Sequence, residues 1–460
     1  MFTRSASLIF LNSVIFGAVA WAARSPAPPP LEVVAADLIG AALTSNDAYN
    51  ELVELCDTIG HRITGSPALE AAIDWALAEM ASDGLLVRGQ PVDVNIWERG
   101  AESFAMISPL PRDLHVLGLG GTVATPPGGV AGEVVVADSF EHLASLDGDA
   151  VRDKIVLFDV PFTSYGETVQ YRLKGPSAAA ERGAKAMLLR SVTPESLTSP
   201  HTGTLRYADD APKIPAAAVT IEDAAWMRRL QERGTPATVR LSLSGKFVDD
   251  GQSRNAIGEI RGRELPNEIV VLGCHIDSWD VGQGAQDDGG GCVAAMDAGR
   301  LIASLPTPPR RTVRVVLYTN EEMGLAGATT YAEAATQSDE VHVAAIESDT
   351  GMGHPAGFRV DVRNADDPAA AAAEKILQLA PIAALLSSLE ADGLRPAFSG
   401  ADIGPLVRDG ALGLGVDHDT SGYWLIHHTE ADTIEKIDPD NVRKTVAAMA
   451  VMAYGLAETL

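Results

Sequence analysis

The sequence predicts an α/β protein with a mixed, mostly parallel sheet sandwiched by helices and with an inserted β-rich module. From residue 246 onward, uniformly apolar or β-branched runs alternate with helical patterns, which is typical of parallel strands covered on both faces. Between 128 and 245 the pattern changes to short β runs around one or two helices, which indicates a separate module within the main domain. A chain of 460 residues is long enough for two or three domains.

The elements can be placed from their patterns in chain order. Residues 31–82 alternate helical patterns with the loop 61–67, and Ser66 followed by Pro67 is typical of an N-cap with proline in the first helical turn. Short strands are expected over 84–110, and a helix near 176–183 is expected among the β runs of the module. In the second half the patterns predict strands and covering helices, the strands at 268–273, 312–319, 342–347 and 412–416 and the helices at 291–304 and 367–386.

The changes in pattern divide the chain into five segments. In order, these are a signal segment at 1–22, a proline-rich linker at 23–30, a first part of the main domain at 31–127, the module at 128–245, and a second part of the main domain at 246–460. The module has no clustered His, Asp or Glu at ligand-like spacing, so we expect no chemistry from it.

The N-terminal segment has the pattern of a secretory signal. A short basic start precedes an apolar run from Ala6 to Ala23, and small residues in A-x-A spacing place cleavage after Ala20 or Ala22. The run approaches the length that spans a bilayer, so an uncleaved anchor is the alternative. We expect no later segment to be long and apolar enough to cross a membrane. The sequence therefore predicts export to the periplasm or the medium.

The charge balance argues against a nucleic-acid partner. The chain has 35 Lys and Arg against 62 Asp and Glu, a formal net charge of −27, which repels phosphate backbones and anionic membrane surfaces. There are only three cysteines, so at most one internal disulfide can form and the fold cannot depend on a bridged framework. Cysteine is not the expected nucleophile.

Imidazoles and carboxylates follow the predicted strands of the second half. In open α/β sheets, ligands bind beyond the carboxyl ends of the strands, so these side chains are the candidates for a site. They are His275, Asp277 and Asp287 after the first strand, Glu321 and Glu322 after the second, Glu347 and Asp349 after the third, and His427, His428 and Asp432 near the end of the chain. Four segments thus bring metal-binding groups to one edge of one sheet.

The ligand types indicate which metal is bound. Histidine nitrogen with carboxylate oxygen and without thiolate suits zinc or a similar borderline ion, whereas calcium and magnesium prefer oxygen alone. Two histidines and several carboxylates are enough for two ions. Asp277 lies two residues past His275 and fits an acceptor that fixes the tautomer of that histidine.

The motifs at these strand ends resemble those of the co-catalytic di-zinc aminopeptidases and carboxypeptidases. The resemblance depends on the combination of HIDSWDVGQGAQDDGGG, TNEEMGLAGA, ESDTG and HHTEADT, and it is strongest over roughly 250–445. The upstream order is similar too, including GHRITGS and an insert like the protease-associated domain. The resemblance implies a zinc exopeptidase fold, a peptide substrate, two Zn²⁺ ions, a cis peptide after Asp287 and a possible homodimer.

The resemblance also implies a role for each candidate residue. His275 and Asp349 would hold one zinc ion, Glu322 and His428 would hold the other, and Asp287 would bridge both. Glu321 would be the general base, which takes a proton from water and returns it to the leaving amine. His427 is expected to serve in packing or support.

Two further contacts with substrate are predicted with alternatives left open. The segment 399–405, which includes Asp402, resembles the substrate-facing loop of the family, and an ordinary glycine-rich turn is the alternative. Tyr423 precedes the histidine pair and would donate to a developing oxyanion, or else belong to the core.

The sequence thus predicts an exported di-zinc exopeptidase that hydrolyses N-terminal peptide bonds of dipeptides or short peptides. The alternatives are a single-zinc acyl transferase similar to glutaminyl cyclases and a receptor-like binding protein that keeps only the fold. The presence of both ligand sets and of Glu321 favours the peptidase. Dipeptidase, aminopeptidase and carboxypeptidase action are the alternatives within this class.

Overall fold

A computed structural model of the chain describes residues 29–248 and 250–460. The predicted signal segment 1–22 and most of the linker 23–30 lie outside the described residues. The strands are β1 (Leu86–Val94), β2 (Trp97–Glu98), β3 (Glu102–Ser108), β4 (Arg112–Leu114), β5 (Val116–Gly118), β6 (Val130–Ala137), β7 (Ile155–Phe158), β8 (Ala186–Arg190), β9 (Ala216–Val219), β10 (Thr238–Leu243), β11 (Lys246–Phe247), β12 (Gly251–Ile260), β13 (Leu265–His275), β14 (Arg311–Tyr318), β15 (Val341–Glu347), β16 (Pro355–Asp361), β17 (Gly393–Pro396) and β18 (Leu412–His418).

Most of the helices cover the faces of two large sheets. They are α1 (Leu31–Thr44), α2 (Asp47–Glu54), α3 (Pro67–Ser82), α4 (Phe140–Ser145), α5 (Gly148–Val151), α6 (Tyr165–Glu181), α7 (Ile221–Glu232), α8 (Gly290–Ala303), α9 (Ala326–Thr336), α10 (Pro368–Ala383), α11 (Gly404–Arg408) and α12 (Pro439–Thr459). Single turns of π-helix lie at Leu55–Ile59 and Ala285–Gly289, and 3₁₀ turns lie at Ala384–Leu389, Tyr423–Leu425 and Ile434–Lys436.

The first sheet is 8-stranded and mixed, in the order β1-β12-β14-β13-β15-β18-β16-β17. Its centre, β14-β13-β15-β18, is parallel, and these are the four strands that the apolar runs of the second half predicted. β1 and β12 add an antiparallel edge on one side, and β16 pairs antiparallel with β18 on the other. The mixed, mostly parallel α/β prediction is therefore confirmed.

Both faces of this sheet are buried, which explains why its central strands are mostly apolar. Val270 and Leu272 of β13 face a core that α1, α2, α3, α8 and α12 complete, and the alternate residues Ile269 and Val271 face α9 and α11. This alternation is the period-2 geometry of a strand. The N-cap prediction is confirmed as well, because the Ser66 side chain accepts a hydrogen bond from the Leu69 N–H at the start of α3.

The second sheet is also 8-stranded, in the order β4-β3-β10-β6-β7-β8-β9-β5. The run β6-β7-β8-β9 is parallel, and hydrophobic clusters cover both of its faces. The sheet begins at Glu102, upstream of the residue 128 at which the sequence placed the start of the module. We call residues 102–243, which span this sheet, the insert.

The helix predicted near 176–183 begins much earlier, at Tyr165. The Ser164 side chain caps it by accepting from the Glu167 N–H. Pro176 lies inside the helix, where it lacks the N–H that the helical hydrogen-bond ladder needs. The prediction of a helix in this region is confirmed, and its start is wrong.

One helical segment in the described residues meets the length and hydropathy expected of a membrane span, contrary to our expectation. This segment is Pro368–Leu389, and 28% of its most apolar 18-residue window is buried. Leu379 and Ile382 of this segment pack into the main core, and a core helix of a folded domain meets the same criteria.

Candidate metal centre

The carboxyl ends of three parallel strands meet at one edge of the first sheet and carry most of the predicted ligands. His275 is the last residue of β13, the Glu321-Glu322 pair follows β14, and Asp349 follows β15. Asp287 lies in the π-turn Ala285–Gly289, which leads into α8. His428 comes from the loop after the 3₁₀ turn Tyr423–Leu425 and has a φ of +61°.

Two groups of three side chains share Asp287. In the first group, His275 Nε2 lies 3.2 Å from Asp287 Oδ1 and 3.5 Å from Asp349 Oδ1. In the second group, His428 Nε2 lies 3.2 Å from Asp287 Oδ2 and 3.2 Å from Glu322 Oε2. Within each group the potential ligand atoms lie within 4.8 Å of one another. The structure therefore brings together all five residues predicted to hold metal.

The donor set fits cations better than it fits a hydrogen-bonded network. His275 Nε2, Asp287 Oδ2 and Glu322 Oε1 are buried, and none has a hydrogen-bond partner among the described residues. Buried polar atoms of this kind are ordinarily paired. A neutral imidazole nitrogen next to carboxylate oxygens is the donor set of zinc or a similar ion. Each group could hold one ion, with one oxygen of Asp287 directed to each.

Burial and mutual repulsion of these groups alter their acidity. Burial and the charge of Asp287 raise the pKa of Glu322 to about 7. Burial is also the main reason for the raised pKa of Glu321, and the carboxylates of Asp349, Glu322 and Asp277 add to it. Several carboxylates packed together in this way create a strongly negative pocket that favours cation binding.

Asp277 supports the site in a different way from the one the sequence suggested. The acceptor for His275 Nδ1 is the main-chain oxygen of Asp277, at 3.0 Å, whereas the carboxylate Oδ1 is 3.7 Å away. The carboxylate instead accepts from the Glu321 N–H at 3.0 Å and from the Glu322 N–H at 3.3 Å. Thr64 Oγ1 donates to it at 3.2 Å. Asp277 thus connects the ends of β13 and β14.

Two further aspartates hold the segment that carries Asp287. Asp432 accepts from the Gln286 N–H at 2.7 Å and from the Asp287 N–H at 3.2 Å. Asp288 accepts from the main-chain N–H groups of His275 and Gly291, each at 3.2 Å. The peptide bond between Asp287 and Asp288 is cis. A side chain at Gly291 would meet the Asp288 carboxylate and the Ser348 oxygen, so glycine is needed there.

Arg62, which the sequence did not single out, fixes the loop between His275 and Asp287. Its guanidinium is fully buried and donates to the carbonyl oxygens of Ile276, Gln283 and Gly284 at 2.8 to 2.9 Å. It also donates to the Gly60 oxygen at 2.9 Å. The loop therefore depends on a residue more than 200 positions away in the sequence.

Glu347 anchors the loop that was predicted to face the substrate. Its carboxylate accepts from the main-chain N–H groups of Ala401 and Ile403, each at 2.8 Å. Asp402 is 1% exposed, and neither of its carboxylate oxygens has a hydrogen-bond partner among the described residues. Burial raises the pKa of Asp402, and the charges of Glu347 and Glu321 raise it further. The loop lies beside the site with this side chain turned inward.

The aromatic residues near His428 are largely buried. Burial and the charges of Asp287 and Asp349 raise the pKa of the Tyr423 phenol. The Tyr423 ring lies 5.1 Å from the His427 ring, which in turn lies 4.3 Å from the His428 ring. Both ring nitrogens of His427 are buried without a partner among the described residues, and burial lowers its pKa so that the ring is neutral.

The insert reaches the metal centre through several contacts. The Thr202 N–H donates to the His428 oxygen at 3.1 Å, and Arg172 Nη1 lies 3.2 Å from His428 Nδ1. Trp279, whose ring lies 5.6 Å from that of His428, leaves no space for a side chain at Gly120 of the insert. These contacts could not be predicted from the sequence, because no local pattern relates residues 172 and 202 to residue 428.

A cavity of about 470 Å³ lies beside the centre. Its walls include Gln286, next to Asp287 in sequence, together with Met352, Tyr423 and Ile426, and Leu197 contributes from the insert. The volume is within the range of small-molecule sites. The cavity therefore offers room for a small ligand on the Tyr423 side of the site.

Comparisons with known proteins identify the family. Residues 255–453 match peptidase family M28. Carboxypeptidase Q from Bos taurus is 38% identical over 414 residues, which cover 90% of this chain and 86% of the bovine protein.

Solved structures of similar fold extend the comparison. The crystal structure of a peptidase M28 precursor from Shewanella amazonensis SB2B is 34% identical, with a TM-score of 0.85 over 93% of this chain and 97% of that one. A zinc aminopeptidase from Bacillus subtilis shares the fold at 21% identity, with a TM-score of 0.65 over 89% of this chain and 94% of that one.

Proposed function

The chain belongs to peptidase family M28, and from this premise we propose that it is an exported di-zinc exopeptidase that hydrolyses N-terminal peptide bonds of dipeptides or short peptides. The observation that carries the proposal is the pair of ligand groups that share Asp287. A single-zinc cyclase would need only one of these groups, and an inert binding protein would need neither.

The ligand assignment follows the two groups. His275 and Asp349 would hold one zinc ion, His428 and Glu322 would hold the other, and Asp287 would bridge them. When bound, zinc polarises a carbonyl group and lowers the pKa of its bound water toward about 7. Each histidine presents Nε2 to the centre, and the main-chain oxygen of Asp277 accepts from Nδ1 of His275, which fixes the tautomer that leaves Nε2 free to bind metal.

Glu321 is the proposed general base. The Asp277 carboxylate holds the main-chain N–H of Glu321 and also that of Glu322. The two neighbouring glutamates therefore have a fixed backbone, and in the proposal Glu322 binds metal while Glu321 stays free. Glu321 would take a proton from the attacking water and give it to the departing amine as the peptide bond breaks.

The surroundings support a small peptide substrate with a free amino group. The negative pocket suits a cationic N-terminus, and the adjoining cavity of about 470 Å³ has room for a substrate side chain. We propose that Tyr423 donates to the developing oxyanion. The loop of Asp402 would contact the substrate only if this buried carboxyl turns toward the cavity.

The remaining features of the proposal concern the insert, the N-terminus and assembly. The module that the sequence places at 128–245, which lies largely within the insert, would act as a lid of the protease-associated type. The segment 1–22 would be removed on export, so N-terminal sequencing of the mature protein should begin after Ala20 or Ala22. A homodimer is expected by size-exclusion chromatography with light scattering.

The decisive test combines metal analysis with hydrolysis of a dipeptide library. We expect about two zinc ions per chain and cleavage of free dipeptides. Glu321→Gln should lower kcat at least about 100-fold while zinc content stays the same, because only the proton acceptor is lost. The control is Glu333→Gln, an exposed glutamate on α9, which should leave kcat unchanged.

Two results would contradict the proposal. One is fewer than about one zinc ion per chain after gentle purification, and the other is full activity of the Glu321→Gln variant.

Tripeptides with and without an N-acetyl group distinguish the modes of action. An aminopeptidase releases the first residue and spares the blocked peptide, whereas a carboxypeptidase releases the last residue from both. Conversion of an N-terminal glutamine peptide without hydrolysis would identify a cyclase instead.

A further inference from the structure

His428 is held in an unusual backbone conformation. Its φ of +61° lies in the left-handed region, which a residue other than glycine adopts only when its surroundings stabilise it. Its side chain must at the same time present Nε2 to Asp287 and Glu322, each at 3.2 Å. The residues that fix both the backbone and the ring of His428 therefore decide whether the second ligand group is complete.

The insert supplies these residues. Both main-chain groups of Thr202 contact His428, since the Thr202 N–H donates to the His428 oxygen at 3.1 Å and the Thr202 oxygen lies 3.3 Å from Nδ1. Thr202 is itself fixed, because its hydroxyl donates to the Gly118 oxygen at 2.7 Å and accepts from Arg99 Nη2 at 3.3 Å. One residue of the insert thus contacts both the main chain and the imidazole ring of His428.

Arg172 of α6 completes the contact. Its Nη1 lies 3.2 Å from His428 Nδ1 and 3.4 Å from the Thr202 oxygen, while Nε donates to the Thr204 oxygen at 3.1 Å and Nη2 to the Tyr165 hydroxyl at 2.9 Å. The residue is 5% exposed and forms no ion pair within the described part of the chain. A buried arginine with oxygen partners on three sides is rigid.

In the proposed metal-bound state, the proton of the His428 ring lies on Nδ1. A histidine that gives Nε2 to a cation keeps its proton on Nδ1 and donates it to a neighbouring acceptor. The Thr202 oxygen is that acceptor. Arg172 Nη1 then packs against the ring edge and donates to the Thr202 oxygen rather than to Nδ1, which keeps the 202–204 segment in place.

We propose that Arg172 and the main chain of Thr202 form a clamp, supplied by the insert, that holds His428 in its metal-binding orientation. Arg172 is a positioning residue in this proposal, because it acts on the metal only through its contacts with His428 and Thr202. The proposal builds on the proposed function, since it assigns His428 to one of two metal ions. It implies that the insert is part of the metal centre as well as a cover over it.

The test measures zinc affinity of the metal-free protein by competition with a chromophoric chelator. The first variant is Arg172→Lys, which keeps the positive charge near the site, so a change in affinity reports geometry. The second is Gly203→Ala. A Cβ at Gly203 would overlap Arg172 Nη1 and would displace the guanidinium without removing it.

Matched controls account for the general effects of each change. Arg240→Lys alters an exposed arginine of the insert that, like Arg172, donates to a main-chain oxygen, in this case that of Gly128. Gly234→Ala adds a Cβ at a glycine with φ of +74° and open space around it, so it introduces backbone strain without a clash. Thermal unfolding of each variant shows whether it is folded.

The expected result is a selective loss. The wild-type chain should bind two zinc ions, and both clamp variants should bind one of them about 10 to 100-fold more weakly, as is typical when a supporting contact of a metal ligand is removed. The other ion and both controls should be little changed. If both variants are folded and bind two ions as tightly as wild type, the clamp is refuted. If wild type itself does not bind two ions, the proposed function fails instead.

Discussion

Asp277 shows how one buried carboxylate can serve several parts of a site. It accepts from the main chain of both Glu321 and Glu322 and from the Thr64 hydroxyl, while its own carbonyl oxygen accepts from His275. The sequence indicated that this residue supports His275 but not that its carboxylate holds the next strand end. Asp277 is two residues from His275 in the sequence, so their contact can be inferred from spacing. Its contact with Glu321 forms only when the ends of β13 and β14 come together in the folded sheet.

The substitution Asp277→Asn tests this role at constant size. An amide keeps one acceptor oxygen and turns a donor toward the other N–H group, so the backbone of the Glu321-Glu322 pair is no longer held on both sides. We expect kcat to fall about 10 to 100-fold, with the protein folded and zinc content close to wild type. Steady-state kinetics and metal analysis measure the two quantities. A kcat within about twofold of wild type would show that the carboxylate is dispensable.

The elements of the first sheet were the most predictable part of the molecule. Strands buried on both faces have mostly apolar sequences, and for this reason the predicted run 268–273 lies within β13 and the run 312–319 matches β14 to within one residue at each end. The start of α6 was missed because Gly175 and Pro176 lie inside a helix capped at Ser164. Glycine and proline in a sequence do not by themselves show whether a helix starts at that point or is interrupted there.

The supporting contacts of the site could not be predicted in the same way. Most of the predicted metal ligands follow strands and can therefore be found from the sequence pattern. Arg62 and Arg172 lie in other segments and donate to main-chain carbonyl oxygens. Every residue has a main-chain oxygen, so the partner of such an arginine need not be of any particular residue type. The sequence therefore does not show which segment the arginine binds. The boundaries of the insert and the roles of Asp402 and Tyr423 stay predictions.

The loop between β13 and α8 depends on Arg62. Replacement by lysine keeps the charge but cannot donate to the Ile276, Gln283 and Gly284 oxygens together, so buried carbonyl groups lose their partners. We expect Arg62→Lys to lower the free energy of unfolding by about 2 to 4 kcal/mol. Urea denaturation monitored by circular dichroism measures this. Arg88→Lys, at an exposed arginine of β1, is the control and should change it by less than about 0.5 kcal/mol.

At the scale of the whole molecule, the excess of negative charge affects how stability depends on pH. With a formal net charge of −27, some carboxylates are buried close to others. Glu51 of α2 is an example away from the metal centre. It faces Asp297 and Arg300 of α8 and also Glu79 and Asp83 from the α3 side. Burial, followed by the charge of Asp297, raises the pKa of Glu51 from 4.5 to about 8.

The direction of the effect follows from proton binding. Between pH 4.5 and about 8 the folded chain keeps a proton on Glu51 that the unfolded chain has released, so raising the pH through this window favours unfolding. Below the window both states are protonated and the group has no effect. Above it, the folded state must hold a buried carboxylate, one oxygen of which has no hydrogen-bond partner among the described residues.

Glu51→Gln removes this charge while keeping the shape of the side chain. We therefore expect the variant to be as stable as wild type at pH 4 and more stable by about 1 to 2 kcal/mol at pH 8, a figure reduced from the full pKa shift because solvent reaches part of the side chain. Thermal unfolding of both proteins across this range measures the difference. Glu32→Gln, at an exposed position of α1, should give no such trend. A stability difference that is constant with pH would mean that Glu51 is already ionised in the folded chain at pH 5, and that Arg300 outweighs burial and the neighbouring carboxylates.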